Sequence, residues 1–184
     1  MIIMAKAKFP MNTISISSYF GERTYTLNGK KVKDFHYGWD MTGSDGQKGG
    51  DLICLPDNGY FIYAGSDENA GNFVLSEHYG IDNVPKNKKV IFYYGHLYSI
   101  STYVKDYIKN KTPVKQGLIL GKEGRSGKLC TGNHLHLGVF LVDKNYKFTT
   151  VTALRKYAVD PSTICYAYPD QTIKHDPKKL VKKA

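Results

Sequence analysis

Three short stretches of this chain carry residues suited to metal binding or proton transfer. His134-Leu135-His136 lies in an apolar run over 134–141. On a strand, residues two apart share a face about 6.6 Å apart along the backbone, so one can ligate a metal while the other faces the same cavity. His36-Tyr-Gly-Trp-Asp40 is spaced i, i+4. A straight strand would set that pair about 13 Å apart, too far to share one ion with bonds of roughly 2.0–2.2 Å. The segment must therefore bend, and Gly38 at its middle permits a bend or bulge. His96, in Tyr-Tyr-Gly-His-Leu, ends a third apolar run. Taken singly, each stretch also reads as ordinary: half-exposed strand histidines, a polar strand end, a histidine bonded to backbone. Taken together they match what a catalytic zinc requires, which is three N or O ligands, an open water position and a nearby acid or base. Two His and one Asp leave two more His for proton transfer. Spacing alone leaves open which of His134 and His136 binds metal. His78 and His175 lack supporting context.

The elements that must position these residues read as strands. Short or alternating apolar runs bounded by turn residues occur over 14–20, 51–55, 60–64, 73–76, 90–94, 117–120 and 134–141. Asp45-Gly46, Lys48-Gly49-Gly50, Asp57-Asn58-Gly59 and Asn69-Ala70-Gly71-Asn72 supply turn chemistry between them. Helical spacing appears over 98–110, through Ile100, Tyr103, Val104 and Tyr107. At 184 residues, with 41% hydrophobic and 13% aromatic residues, the chain is one folded domain that needs no disulfide or structural metal to hold a core. No apolar run approaches the roughly 20 residues of a membrane-spanning helix. The expected fold is mainly β, a single domain on an antiparallel sheet with few short helices.

Lys and Arg number 26 against 16 Asp and Glu, a net charge of +10, which favours an anionic partner such as nucleic acid, anionic lipid or anionic cell wall. Part of the excess sits in residues 174–184, expected to be a solvated basic tail. Cys54, Cys130 and Cys165 are odd in number and widely spaced, and read as buried thiols. Residues 1–10 lack the 7 to 15 apolar residues of a secretory signal. A chain that stays inside the cell, leaves by another route or is cut from a larger precursor is expected.

The order of the motifs resembles that of the lysostaphin-type zinc metallopeptidases, the family that includes LytM. That family's signature is H-x-x-x-D, a histidine in an aromatic-rich G/A-H-L strand, then H-L-H after a Gly/Ser/Thr-rich loop. Here they stand as His36-Tyr-Gly-Trp-Asp40, Tyr94-Gly-His96-Leu97 and Thr131-Gly-Asn-His134-Leu-His136. Ile16-Ser-Ser-Tyr-Phe-Gly-Glu-Arg23 resembles the family's opening strand, and Asp57-Asn-Gly-Tyr-Phe-Ile-Tyr-Ala-Gly65 its D-G-x-V-x-x-A-G hairpin. Gly71-Asn72-Phe-Val, Val114-Lys-Gln-Gly-Leu-Ile-Leu-Gly121 and Val159-Asp160-Pro161 are similar to further family segments. Asn133 stands where Pro is commoner, Leu137-Gly138 replaces Phe-Glu, and 79–90 looks like an insertion. These departures bear on the substrate cleft and remove no ligand.

The resemblance implies zinc ligands at His36, Asp40 and His136, with His96 and His134 as an unliganded catalytic pair in a narrow zinc-containing cleft. It implies hydrolysis of peptide cross-links or stem peptides of bacterial peptidoglycan, with anionic wall polymers as further contacts and no nucleic acid. A phage lysin or virion-borne wall-opening enzyme is expected, or a chain excised from a larger protein. His134 is expected to deprotonate water and His96 to assist at the carbonyl or the leaving amine, roles that can be exchanged. The division expected is 1–13 as an extension, 14–165 as the peptidase domain and 166–184 as the tail. The rivals are a non-catalytic wall-binding member of the fold, a nucleic-acid-binding β-domain, and a structural zinc site built on Cys130, His134 and His136.

Overall fold

The computed structural model describes residues 5–27, 29–43, 50, 52–54, 56 and 58–184, without the side chains of 27, 52 and 54. The turns expected at Asp45-Gly46 and Lys48-Gly49, the Asp57 corner, and the side chain of Cys54 lie outside that description.

Eight strands form the main sheet, in the order Pro113–Val114, Gly59–Asp67, Gly71–His78, Lys88–Leu97, Leu135–Asp143, Trp39–Met41, Thr13–Ser18 and Thr172–His175. Neighbours run antiparallel except the last pair, which is parallel. The fold is the mainly β single domain expected from the turn-punctuated apolar runs. Each expected run overlaps an observed strand: 60–64, 73–76 and 90–94 lie wholly within longer strands, while 14–20 runs past Ser18 and 117–120 and 134–141 begin before theirs. The central strand, Lys88–Leu97, is buried along nearly its whole length, as its unbroken Val-Ile-Phe-Tyr-Tyr run requires of a strand covered on both faces. One face carries Trp39, Phe92, Tyr94, Leu135, Leu137 and Val139, packed against Phe9, Met11, Ile53 and Leu120. The opposite face carries Phe73, Leu75, Ile91, Tyr93, Phe140 and Val142, covered by Leu154 and by Tyr146, Phe148 and Tyr157.

Three features depart from the sequence expectation. The hairpin Gly21–Leu27 with Lys30–His36 went unread because Lys-Lys-Val-Lys-Asp-Phe-His is mostly polar on both faces, so it lacks the apolar alternation that marks a strand. The helix spans only Val104–Asn110. Ser99–Ile100, expected as its first turn, instead pairs with Ile119–Lys122, a long-range pairing that local spacing does not encode. Third, the segments set apart as extension and tail are built into the body. Ala7–Lys8 and Lys182–Lys183 flank Cys165–Ala167 as parallel strands. Phe9 and Met11 are fully buried, and Leu180 and Val181 pack on the core. A solvated tail was expected from the lysines alone; the apolar pair between them and its backbone pairing seat the segment instead. The apparent insertion meets the chain just before this N-terminal strand, with Ile81 buried and paired to Ala5.

Candidate metal centre

Strand register gathers the three motifs at one end of the sheet. His136 lies opposite Asp40 on one side and Gly95 on the other, which puts His96 one residue beyond. His36 ends the polar hairpin, paired with Gly21. The chain then turns at Tyr37-Gly38, and the turn brings His36 Nε2 to 3.0 Å from Asp40 Oδ1. Gly38 serves close approach as well as the bend: a Cβ there would meet the Leu137 carbonyl and stand 2.8 Å from His136 Nε2.

Three ligand-type atoms converge, with His36 Nε2, Asp40 Oδ1 and His136 Nδ1 each 3.0 Å from the other two. His36 Nδ1 donates to the Tyr19 carbonyl at 2.9 Å, so its Nε2 carries the lone pair that points inward. On the far side of Asp40, Arg23 Nη1 donates to Oδ2 at 3.2 Å, while Arg23 Nε and Nη2 hold Asp34 at 2.8 and 3.2 Å. Burial alone would push the Asp40 carboxyl up, but His136 and His36, acting as proton donors when no cation lies between the three groups, outweigh it and hold the carboxyl well below the usual carboxylate range. Burial pushes His136 down. A carboxylate and two imidazole lone pairs crowded at this spacing suit a cation among them. A tetrahedral zinc with bonds near 2.0–2.2 Å spaces its ligand atoms about 3.4 Å apart, so the donor set fits with only a small opening. Among the described residues this is the one group of three such ligands within reach of a single ion.

His96 and His134 stand beside the triangle, their ring centroids 4.8 Å apart. His134 Nδ1 faces the Gly132 carbonyl at 2.9 Å and its Nε2 lies 3.6 Å from Asp40 Oδ1. His96 Nδ1 faces the Ser126 carbonyl at 3.0 Å. A carbonyl accepts only, so each Nδ1 carries the proton and each Nε2 is the basic atom. Burial, with His134 as neighbour, pushes His96 down to about 4, so it is neutral at pH 7. His96 has φ 61, a left-handed conformation that costs a non-glycine residue about 1–2 kcal/mol. This left-handed residue stands one position before the end of its strand, beside His134.

The structure thus brings together all five residues singled out in the sequence, while His78 is buried against Ser76 and His175 lies on the Thr172–His175 edge strand. Cys130 Sγ is 3.5 Å from His134 Nδ1 and 2.9 Å from the Gly132 carbonyl. His136, however, directs its Nδ1 at His36 and Asp40, so the structural-zinc arrangement on Cys130 is not formed. Cys130 and Cys165 are free, buried thiols, pushed up by burial. Arg23 and Tyr19 were missed as parts of the site. Arg23 pairs with Asp34 across a hairpin whose largely exposed, polar strands carry no apolar alternation to mark it in the sequence.

Peptidase family M23 matches residues 34–148. LytU, a solved structure, is 24% identical with a TM-score of 0.52 over 81% of this chain and 82% of that one. A zinc-containing peptidase from Vibrio cholerae is 23% identical with a TM-score of 0.52 over 85% of this chain, which spans 39% of that longer chain. A chain of the SpoIIQ-SpoIIIAH pore-forming complex is 19% identical with a TM-score of 0.53, covered in full by 85% of this chain. These likenesses are of fold. No curated protein matches the chain. With a family match that runs from the strand ending in His36 past the strand holding His136, and over more than half the sequence, the chain belongs to peptidase family M23, the LytM-type peptidases that its motifs resemble.

Proposed function

We propose that the protein is a zinc-dependent endopeptidase that hydrolyses peptide cross-links or stem peptides of bacterial peptidoglycan. The observation that carries this reading is the 3.0 Å triangle of His36 Nε2, Asp40 Oδ1 and His136 Nδ1 with two further histidines at its side. His36, Asp40 and His136 would hold the metal, each oriented by the chain around it. Bound there, zinc supplies Lewis acidity, polarising a carbonyl and making water acidic near pH 7. His134, with Nε2 directed at the site, takes the proton from the attacking water. His96, neutral at rest, aligns that water through its own Nε2. The proton held by the histidine pair passes to the leaving amine, which closes the cycle without a glutamate. The +10 charge suits a wall rich in phosphate and carboxylate.

A non-hydrolytic member of the fold is the alternative, and the SpoIIQ-SpoIIIAH pore-forming complex shows the fold within an assembly. The presence of all five residues in one cluster favours hydrolysis. Digestion of purified walls of known cross-link chemistry, with new amino termini identified by mass spectrometry, tests the reading and names the bond. New termini that vanish on chelation are expected; none with zinc-loaded protein would favour the alternative. Lysis by a phage-borne or virion-borne enzyme is the setting we propose for this activity.

A further inference from the structure

The end of the chain reaches the metal centre through one tyrosine. Tyr19 lies between the strands Thr13–Ser18 and Gly21–Leu27, so the sheet ladder does not fix its carbonyl, yet that carbonyl accepts from His36 Nδ1 at 2.9 Å. Its side chain is anchored instead. The Tyr19 hydroxyl donates to Asp176 Oδ1 at 2.6 Å and accepts from the Lys178 backbone N–H at 3.2 Å. The Lys178 ammonium sits 4.7 Å from the ring centroid. Asp176 is held in turn by the Val181 N–H on Oδ2 at 2.8 Å, in a segment whose Leu180 and Val181 pack on the core. The other side of Tyr19 rests edge-on against Trp39 at 5.4 Å, next in sequence to Asp40. Tyr19 and Asp176 both lie outside the family match over 34–148.

We infer that Asp176 is a positioning residue for the metal centre, acting through Tyr19 to hold the carbonyl that orients His36. The inference rests on the reading of His36, Asp40 and His136 as a zinc site. Outer partners of a ligating histidine typically alter metal affinity by about 10–100-fold, and Asp176 stands one residue further out. Zinc dissociation constants of the full chain, measured by competition with a chromophoric chelator, test the link. Asp176→Ala and Tyr19→Phe should each weaken zinc binding by about tenfold. The double variant should be no weaker than the worse single, and Asp176→Asn, which keeps an acceptor oxygen, should bind nearly as wild type. Glu77→Ala is the control, because it removes the partly buried Lys89–Glu77 pair and lowers stability without touching Tyr19. Wild-type affinity in both Asp176→Ala and Tyr19→Phe would overturn the inference, and so would an equal loss in Glu77→Ala. A wild-type chain that takes up no zinc would instead overturn the reading of the site itself.

Discussion

The five clustered residues divide by what their inward atoms can do. His36, Asp40 and His136 offer lone pairs to one point, so alanine at any of them should abolish stoichiometric zinc, measured by elemental analysis. His96 and His134 have their Nδ1 atoms tied to carbonyls and face the site as bases. Alanine at either should keep the zinc and lower the hydrolysis rate on the order of 10² or more. Stoichiometric zinc in an alanine variant of the triangle would contradict the ligand set. His96 also makes stability depend on pH. Its folded value is pushed from 6.5 down to about 4, so between those values the unfolded chain binds a proton that the folded chain does not. Stability is therefore present above that window and lost as pH falls through it, by up to about 1.4 kcal/mol per pH unit for one proton. The zinc-free protein should unfold at lower urea at pH 4.5 than at pH 6.5, and His96→Gln should show a shallower dependence; parallel pH dependences would contradict this. Residue types and order were legible in the sequence because zinc chemistry needs those types. Which of His134 and His136 faces His36 and Asp40 follows from the register with Asp40, a pairing between residues 96 positions apart that local spacing does not contain.

At the scale of elements, the site depends on how closely the Tyr37-Gly38 turn lies on the Leu135–Asp143 strand. A Cβ at Gly38 has no room against the Leu137 carbonyl, which as backbone in a sheet cannot yield cheaply, and it would press on His136 Nε2 at 2.8 Å. Gly38→Ala should therefore lower the melting temperature of the zinc-free protein and weaken zinc binding together. Unchanged zinc affinity would show that the turn has slack. The need for a bend at Gly38 was legible from the i, i+4 spacing; the close approach was not, since it depends on a strand about 100 residues away. The same distinction holds across the fold. Strands with one or two apolar faces were readable, because burial leaves a pattern in composition. The Gly21–Leu27 and Lys30–His36 hairpin, which carries both His36 and the Arg23 fork on Asp40 and Asp34, is mostly solvent-facing and leaves none.

Over the whole molecule, charge and packing are entangled in the last residues. Residues 174–184 hold five Lys and one Asp, yet they also supply the Asp176 anchor, the Leu180 and Val181 contacts and the Lys182–Lys183 strand. Deleting them would remove packing along with charge, so charge is better tested alone. Replacing the exposed Lys174, Lys179 and Lys183 with Gln should make sedimentation with purified walls fail at lower salt than for wild type, since screening shortens to about 8 Å at 0.15 M. Cleavage of a short soluble peptide should not change. Identical salt curves would remove these lysines from wall binding. Hydrolysis of wall peptides by this cluster, as opposed to binding alone, is what the proposed function requires. Its most direct test is the rate of amine release from purified walls by wild-type protein and by His134→Ala, each loaded to one zinc per chain. Steady release by wild type and a rate on the order of 10² lower for the variant are expected; equal rates, or no release by zinc-loaded wild type on walls of every cross-link chemistry, would contradict hydrolysis by this cluster.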